Sequence, residues 1–310
     1  MLQNVVECTL YHTQETEFGR KLESFVEQLR RANPGKVRIT GGSDDLDLPA
    51  RPCFSIKNSW GAKIFYAALP EGHQHAPFVK ALEWIAGDAP SAPPVHTQAV
   101  SPAEIEVLIS DQCPHCPKVV EAVVLLVGHY PSISPCIVDV GQYPDIGEKY
   151  GIKAVPATIM DKKLVLIGNV TVDRLTELVE SRGTSKFDME VVLALIEAQK
   201  IAEAAGYLVH DAGRKVILKL VQEPDFSKRL SALVVLEKAL DDNPDAVRKM
   251  APSFAALLSN PDARIRGDIA DLLGKIGDPQ VIAQLEPLKA DPDPDVAEIA
   301  AEAIEELRKH

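Results

Sequence analysis

The chain has 310 residues, 46% hydrophobic and 25% charged, a balance typical of a globular protein with room for two or three domains. Its formal net charge of −12 argues against a broad surface for nucleic acid or an anionic membrane, because both need concentrated lysine and arginine. No apolar run approaches the about 18 residues of a membrane span, and the N-terminus lacks a signal-like apolar segment, so we expect a cytoplasmic protein.

The first block of the sequence, residues 1–92, predicts a small α/β fold. It begins with a strand and an amphipathic helix, continues with three strands and closes with a helix. These elements are predicted over residues 4–12, 17–32, 36–40, 53–57, 62–70 and 76–87. The following stretch is rich in proline, alanine and serine and predicts a linker, with residues 93–102 separating the first domain from the second.

The second block, residues 103–183, repeats the same order of elements. Strands are predicted over 104–110, 132–140, 157–160 and 163–168, and helices over 114–130, 143–151 and 171–183. Two successive units of one size predict a duplicated α/β fold, each copy with its own central mixed sheet.

The third block, residues 184–310, contains only helical patterns. They cover residues 189–209, 213–221, 226–242, 246–259, 263–277, 279–291 and 295–310. Segments that begin at Asn260 and Asp291 match in their apolar positions at an offset of 31 residues, and a looser copy begins at Glu223. Such self-similarity indicates an α-solenoid, and a generic helical bundle is the alternative.

The repeats resemble HEAT repeats, including the Pro-Asp openings at Pro224, Pro261 and Pro292. The resemblance implies a surface that binds another protein and carries no chemistry of its own. From Lys186 onward the block has 16 basic and 23 acidic residues, a charge of −7, which favours a partner with a basic face.

Five cysteines are present, and only Cys113 and Cys116 form a close pair, in the segment "CPHC". We expect the other three, Cys8, Cys53 and Cys136, to be small buried side chains of strands. A zinc site needs four ligands, but no second pair has a suitable spacing and His115 cannot complete a tetrahedral site, so no metal is predicted. A CxxC between a strand and a helix indicates a redox dithiol.

The predicted junction places Cys113 at a helix N-terminus, where unpaired amide groups and the helix dipole stabilise a thiolate. Cys116, one turn into the helix, would then resolve a mixed disulfide formed by Cys113. We therefore expect Cys113 to be exposed and Cys116 to be shielded. Apart from this redox-active disulfide, no cofactor is predicted.

The "CPHC" motif, its flanking strand and helix, and "VPAT" at residues 155–158 resemble the thioredoxin superfamily. The resemblance implies a cis Val155-Pro156 bond facing the dithiol, with the Val155 backbone and Pro114 contacting substrate. It also implies that His115 stabilises the thiolate. Lys118 would either add positive charge there or lie solvated on the helix. In classical thioredoxins a buried acid stands at the position of Val107.

Residues 1–183 resemble the tandem module of protein disulfide oxidoreductases and of the N-terminal region of the alkyl hydroperoxide reductase flavoprotein. The first fold has lost the two cysteines of the CxxC motif, because its helix begins with "HTQETEFG". Of the features of the site, "ARPCFSI" preserves only the cis-proline position, at Pro52. The family's Gly-His-Glu segment reads "GHQH" here, with Gln74 at the place of the acid. Whether Gln74, His73, His75 or solvent assists the dithiol stays open.

Together these features predict a thiol-disulfide oxidoreductase that acts on protein disulfides. The sequence has no GxGxxG nucleotide-binding fingerprint, so a separate reductase is expected as electron donor. The alternative is a scaffold whose repeats bind a partner and whose dithiol is a redox sensor or a relic. A buried Cys113 would favour that alternative.

Overall fold

A computed structural model describes residues 2–11, 16–43, 45–87 and 100–309 of the chain. The chain divides into two compact units, Met1–Arg182 and Gly183–His310. The first four residues of the "HTQETEFG" segment and residues 93–99 of the predicted linker lie outside the described part. None of the described helices is long and apolar enough to cross a membrane.

The first unit contains two α/β folds in sequence, as the element order predicts. The first comprises β1 (Val6–Tyr11), α1 (Glu17–Ala32), β2 (Val37–Gly41), β3 (Cys53–Lys57), β4 (Lys63–Ala67), a 3-10 turn (Gly72–Gln74) and α2 (His75–Ile85). The second comprises β5 (Ile105–Ile109), α3 (Cys116–His129), β6 (Cys136–Asp139), α4 (Pro144–Tyr150), β7 (Ala157–Met160), β8 (Leu164–Ile167) and α5 (Val172–Ser181).

All eight strands belong to one mixed sheet, in the order β2-β1-β3-β4-β6-β5-β7-β8. The four strands of each fold follow the same order, which agrees with a duplication. The expectation of two separate sheets is wrong, because β4 and β6 pair in parallel, with Phe65 opposite Cys136 and Ala67 opposite Val138. Both strands are apolar and buried, so pairing satisfies backbone groups that burial would otherwise leave unbonded.

The second unit is all helical and carries the predicted repeats. Its helices are α6 (Ser185–Glu197), α7 (Ile201–Tyr207), α8 (Asp211–Leu220), α9 (Phe226–Asp242), α10 (Pro244–Arg248), α11 (Ala251–Ala255), α12 (Ala263–Ile276), α13 (Ile282–Leu285) and α14 (Pro294–Leu307). Each Pro-Asp opening supplies a helix cap: Asp225, Asp262 and Asp293 accept hydrogen bonds from backbone amides two residues further on.

Three predicted helices are broken. The segment 189–209 forms two helices, because Gln199 adopts a left-handed conformation with φ of 58°. The amides of Gln199 and Lys200 then donate to the carbonyls of Ile196 and Leu195, a Schellman motif that ends α6. The predicted helix 246–259 is broken after Arg248, and the next helix, α11, has Pro252 in its first turn. The predicted helix 279–291 consists of short α-helical and 3-10 segments.

A buried carboxyl lies inside the first unit, on β5. Glu106 is 5% exposed, opposite Cys136 in the sheet, and its Oε1 accepts a 2.8 Å hydrogen bond from the Tyr150 hydroxyl. Its Oε2 is buried without a hydrogen-bond partner among the described residues. Burial raises the pKa of Glu106, and the nearby Lys149 and Lys162 offset this only in part.

Glu106→Gln should remove part of the pH dependence of stability. The pKa of Glu106 is higher in the folded chain than the about 4.3 of an unfolded glutamate, so its contribution is present at acidic pH and is lost as pH rises through the raised value. Urea unfolding from about pH 4 to about pH 8 should therefore show a smaller decline for Glu106→Gln than for the wild type.

The matched control is Glu148→Gln, at an exposed position of α4, which should keep the wild-type decline. An unchanged decline in the Glu106→Gln chain would contradict this account of the buried carboxyl.

Candidate redox site

The dithiol lies in the loop between β5 and α3. All five residues of β5 are buried, and the chain leaves the sheet at Ser110, whose carbonyl accepts a 3.2 Å hydrogen bond from the amide of Cys113. Pro117 occupies the first turn of α3, where a missing amide hydrogen costs nothing. The strand thus delivers "CPHC" directly to a helix N-terminus.

Cys113 and Cys116 form a disulfide, with their Cα atoms 5.5 Å apart. The amide of Cys116 also donates a hydrogen bond to Cys113 Sγ, at 3.1 Å. This amide belongs to the first turn of α3, where backbone donors have no partner within the helix. The sulfur of Cys113 therefore takes the acceptor place of a helix cap, at the positive end of the helix dipole.

Two expectations about the cysteines need correction. Cys113 is only 8% exposed, against 0% for Cys116, so the difference between them is small. The bond to Cys116 holds the Cys113 sulfur inward, and the Val155 carbonyl oxygen lies 3.7 Å from it. Cys116 is the first residue of α3 and does not lie one turn into it.

The Val155-Pro156 bond is cis, as the resemblance to the thioredoxin superfamily implies. Pro156 is buried at the start of β7, and Val155 is half-buried beside the dithiol. Strand β7 pairs with β5 in an antiparallel arrangement, with Ala157 opposite Leu108. Because β5 leads into the dithiol loop, this pairing brings the proline turn to the sulfurs.

The other predicted site residues lie on the same loop or on neighbouring elements. Pro114, His115 and Lys118 are exposed. In the "GHQH" segment, His73 and His75 are exposed, whereas Gln74 is 4% exposed. Neither amide atom of the Gln74 side chain has a hydrogen-bond partner among the described residues, and the 3-10 turn that carries it contacts α3. The role of each of these residues stays a prediction.

The structure reveals a counterpart of the dithiol in the first fold. Thr16 Oγ1 accepts a 2.9 Å hydrogen bond from the amide of Gly19, so hydroxyl and amide stand in the same relation as Cys113 Sγ and the Cys116 amide. The Arg51-Pro52 bond is cis, and a Cβ added to Gly19 would lie 3.4 Å from Pro52. The signal in the sequence was the three-residue spacing from Thr16 to Gly19, which matches that of "CPHC".

The remaining cysteines lie in the sheet and are buried, as expected. Burial raises the pKa of Cys8 and of Cys53 to about 12, and raises that of Cys136 well above its ordinary value. Since the thiolate is the reactive form of cysteine, burial disfavours reaction of these three thiols in the folded chain. Among the described residues, no three His, Cys, Asp or Glu side chains are grouped so that they could hold a metal ion.

Comparison with known proteins supports a division of the chain into two kinds of domain. A thioredoxin domain model matches residues 103–180, and a HEAT-repeat model matches residues 214–305. Thioredoxin of Methanocaldococcus jannaschii is 30% identical over 84 residues, which cover 27% of this chain and 99% of that protein.

The tandem arrangement also has relatives. An alkyl hydroperoxide reductase of Staphylococcus epidermidis is 30% identical over 151 residues, 46% of this chain and 29% of that protein. The N-terminal domain of the Enterococcus faecalis alkyl hydroperoxide reductase has the same fold, with a TM-score of 0.50 and 20% identity over 57% of this chain and 92% of that structure. The chain spans less than a third of the curated reductases it matches.

The reactivity of the five thiols can be measured directly. After reduction and removal of the reductant, iodoacetamide at neutral pH should modify Cys113 first, while Cys8, Cys53 and Cys136 react only in denaturant, because their thiolates are disfavoured by burial. Mass spectrometry of peptides identifies the modified residues. Native labelling of any buried thiol at the rate of Cys113 would contradict the assignment.

Proposed function

The chain belongs to the thioredoxin family through residues 103–180, and we propose that it is a protein disulfide oxidoreductase acting by dithiol exchange. The observation that carries the proposal is the position of the Cys113 sulfur. This sulfur accepts a 3.1 Å hydrogen bond from the amide of Cys116 and lies 3.7 Å from the Val155 carbonyl oxygen. The first contact supports stabilisation of a thiolate at Cys113, and the second supports a role for the Val155 backbone in contacting substrate.

The proposed reaction begins with the reduced dithiol. The Cys113 thiolate attacks a sulfur of a substrate disulfide; one S–S bond forms, the substrate S–S bond breaks, and the substrate thiolate that leaves takes a proton. The Cys116 thiol then loses its proton, and its thiolate attacks Cys113 Sγ in the mixed disulfide. The second substrate thiol is released, the Cys113-Cys116 disulfide forms, and two electrons have passed to the substrate.

In this proposal the oxidised chain is returned to its dithiol form by a separate reductase, which supplies the two electrons. The similarity to an alkyl hydroperoxide reductase supports a reductase as the donor. The setting expected from the sequence, a cytoplasm with reduced thiols, suits such a supply. The helical repeats would hold a protein partner, and the disulfide would be the only redox group required of this chain.

The low exposure of Cys113, 8%, favours a second candidate, in which the dithiol is a redox sensor on a partner-binding scaffold. A sensor needs to react once with a small oxidant or thiol, whereas an oxidoreductase must admit a protein disulfide and turn over. Multiple turnovers of insulin reduction, with dithiothreitol as donor, would support the enzyme. Oxidation by hydrogen peroxide without any insulin reduction would support the sensor.

The two cysteines should respond differently to substitution. Cys113→Ser should lose insulin reduction altogether, because no thiolate remains to attack, while Cys116→Ser should accumulate a mixed disulfide that it cannot resolve. Non-reducing gel electrophoresis and mass spectrometry detect the trapped species.

The control is Cys8→Ala, a buried thiol of β1 that should keep wild-type turnover. Full activity in the Cys113→Ser chain, or trapping by that variant in place of Cys116→Ser, would reject the proposed order of attack.

A further inference from the structure

Three helices of the repeat unit, α9, α12 and α14, are neighbours that run in the same direction. Helices α9, α12 and α14 each begin one residue after a capping aspartate. Two ion pairs join α9 to α12, Arg229 to Asp268 at 3.0 Å near their starts and Lys275 to Glu237 at 2.6 Å near their ends. The two pairs follow each other in the same order along both helices, so α9 and α12 are parallel.

Helix α14 lies on the other side of α12 and approaches it closely. A Cβ added to Gly274 would lie 3.1 Å from Ala303, and one added to Gly267 would lie 3.4 Å from Ile299 Cδ1. The two glycines therefore permit the close helix packing, and they leave a shallow groove of about 550 Å³ above it. Asp268 and Lys275, which pair with Arg229 and Glu237 of α9, also line this groove, so all three helices border one face of the unit.

On α9 this face is apolar. Phe226, Leu230 and Val234 are 60%, 46% and 40% exposed, and their spacing of four residues places them in one line along the helix. The guanidinium carbon of Arg229, itself 1% exposed, lies 5.7 Å from the centre of the Phe226 ring and supports it from below. We call Phe226, Leu230 and Val234 the apolar stripe.

On α12 and α14 the same face is acidic. The groove is lined by the carboxylates of Asp268, Asp271, Glu302 and Glu306, with Lys275 the one basic residue in its lining. Three of these carboxylates already have basic partners: Asp268 pairs with Arg229, Asp271 with Lys275 and Glu306 with Lys309, while Lys275 also pairs with Glu237. With four carboxylates and one basic residue in its lining, the groove still carries an excess of negative charge. We call these four carboxylates, with the groove they line, the acidic groove.

Two of the three positions of the apolar stripe carry glycine or an acidic residue in the other repeats, whereas the position of Phe226 carries Ala263 and Pro294. Counting from the capping aspartate, Leu230 corresponds to Gly267 and Glu298, and Val234 corresponds to Asp271 and Glu302. The repeat architecture therefore does not require apolar side chains there. Exposed apolar side chains in a contiguous line mark an interaction site more often than a free surface.

We propose that the apolar stripe and the acidic groove together bind a basic amphipathic helix of a partner protein. Apolar side chains of the partner, three or four residues apart, would cover the stripe, while lysines or arginines on its flank would reach the groove. A stripe from Phe226 to Val234 spans about 12 Å along the helix axis, so two to three turns of the partner match it.

The negative charge of the groove favours a basic helix over an anionic ligand, such as nucleic acid or a membrane, and over a second copy of this chain. Nucleic acid and anionic membranes are repelled by the groove carboxylates. In a symmetric dimer of two chains, the stripe of one would pack on the stripe of the other and bring both acidic grooves to one interface, which like charges oppose. The inference deepens the proposed partner binding of the repeats and rests on it, but it does not depend on the redox chemistry.

The test uses the full chain and a fluorescein-labelled 18-residue peptide of leucine and lysine with one apolar face, measured by fluorescence anisotropy. The wild type should bind it saturably, and added salt should weaken binding. A peptide of the same composition in scrambled order, and a leucine-glutamate peptide with the same apolar face, should each bind at least about tenfold more weakly.

Two pairs of variants separate this face from the rest of the unit. Leu230→Ser and Glu302→Lys should each weaken binding about tenfold, because one removes apolar contact and the other reverses a groove charge. Val209→Ser, another exposed apolar residue of this unit, and Glu305→Lys, exposed on α14 but outside the groove lining, should bind as the wild type does. Circular dichroism melting of all four variants tests that each is folded.

Insulin reduction, measured on the same preparations, separates the two proposals. Leu230→Ser with normal turnover and weak peptide binding supports the docking face, whatever the outcome for Cys113. The inference is overturned if the wild type does not bind the lysine peptide, if the acidic peptide binds equally well, or if Leu230→Ser and Glu302→Lys bind normally. It is also overturned if sedimentation shows a dimer that Leu230→Ser dissociates, since the stripe then binds a second copy.

Discussion

An amide group at the start of α3 is the constraint on which the redox site depends. The first amides of a helix have no hydrogen-bond partner within the helix. In this chain the amide of Cys116 donates a hydrogen bond to the sulfur of Cys113, at 3.1 Å. That contact holds the sulfur at the helix start, and the pairing of β7 with β5 brings the cis-proline loop to it, with the Val155 carbonyl oxygen 3.7 Å from the sulfur. The same amide that completes the fold locally is the one that would favour a negative charge on the attacking atom.

The duplicated fold shows what this constraint requires and what it does not. In the first copy, Thr16 Oγ1 accepts a 2.9 Å hydrogen bond from the amide of Gly19. This backbone amide at the helix start therefore has a partner that is not a sulfur atom. A side-chain acceptor for a backbone amide thus occurs at the helix start in both copies, and in the second copy that acceptor is a cysteine sulfur. Gly19, where the second copy has Cys116, has no side chain, which suits its packing against Pro52.

Much of the local structure could be predicted from the sequence because the signals were local. The bounds of β3, β7 and α9 agree with the patterns of alternating and helical apolar residues. The break at Gln199 could not be seen, because the helical pattern continues across it and the left-handed residue is not a glycine. The low exposure of Cys113 was missed for another reason: it depends on a disulfide and on Val155, which is 42 residues away in sequence.

The pairing of β4 with β6 gives a structural role to the first copy, which lacks the CxxC motif. Without it, β6 would end the sheet and present the unbonded backbone of an apolar, buried strand to solvent, a template for aggregation. The first copy therefore covers an edge that the second copy could not leave open, whether or not it takes part in any chemistry.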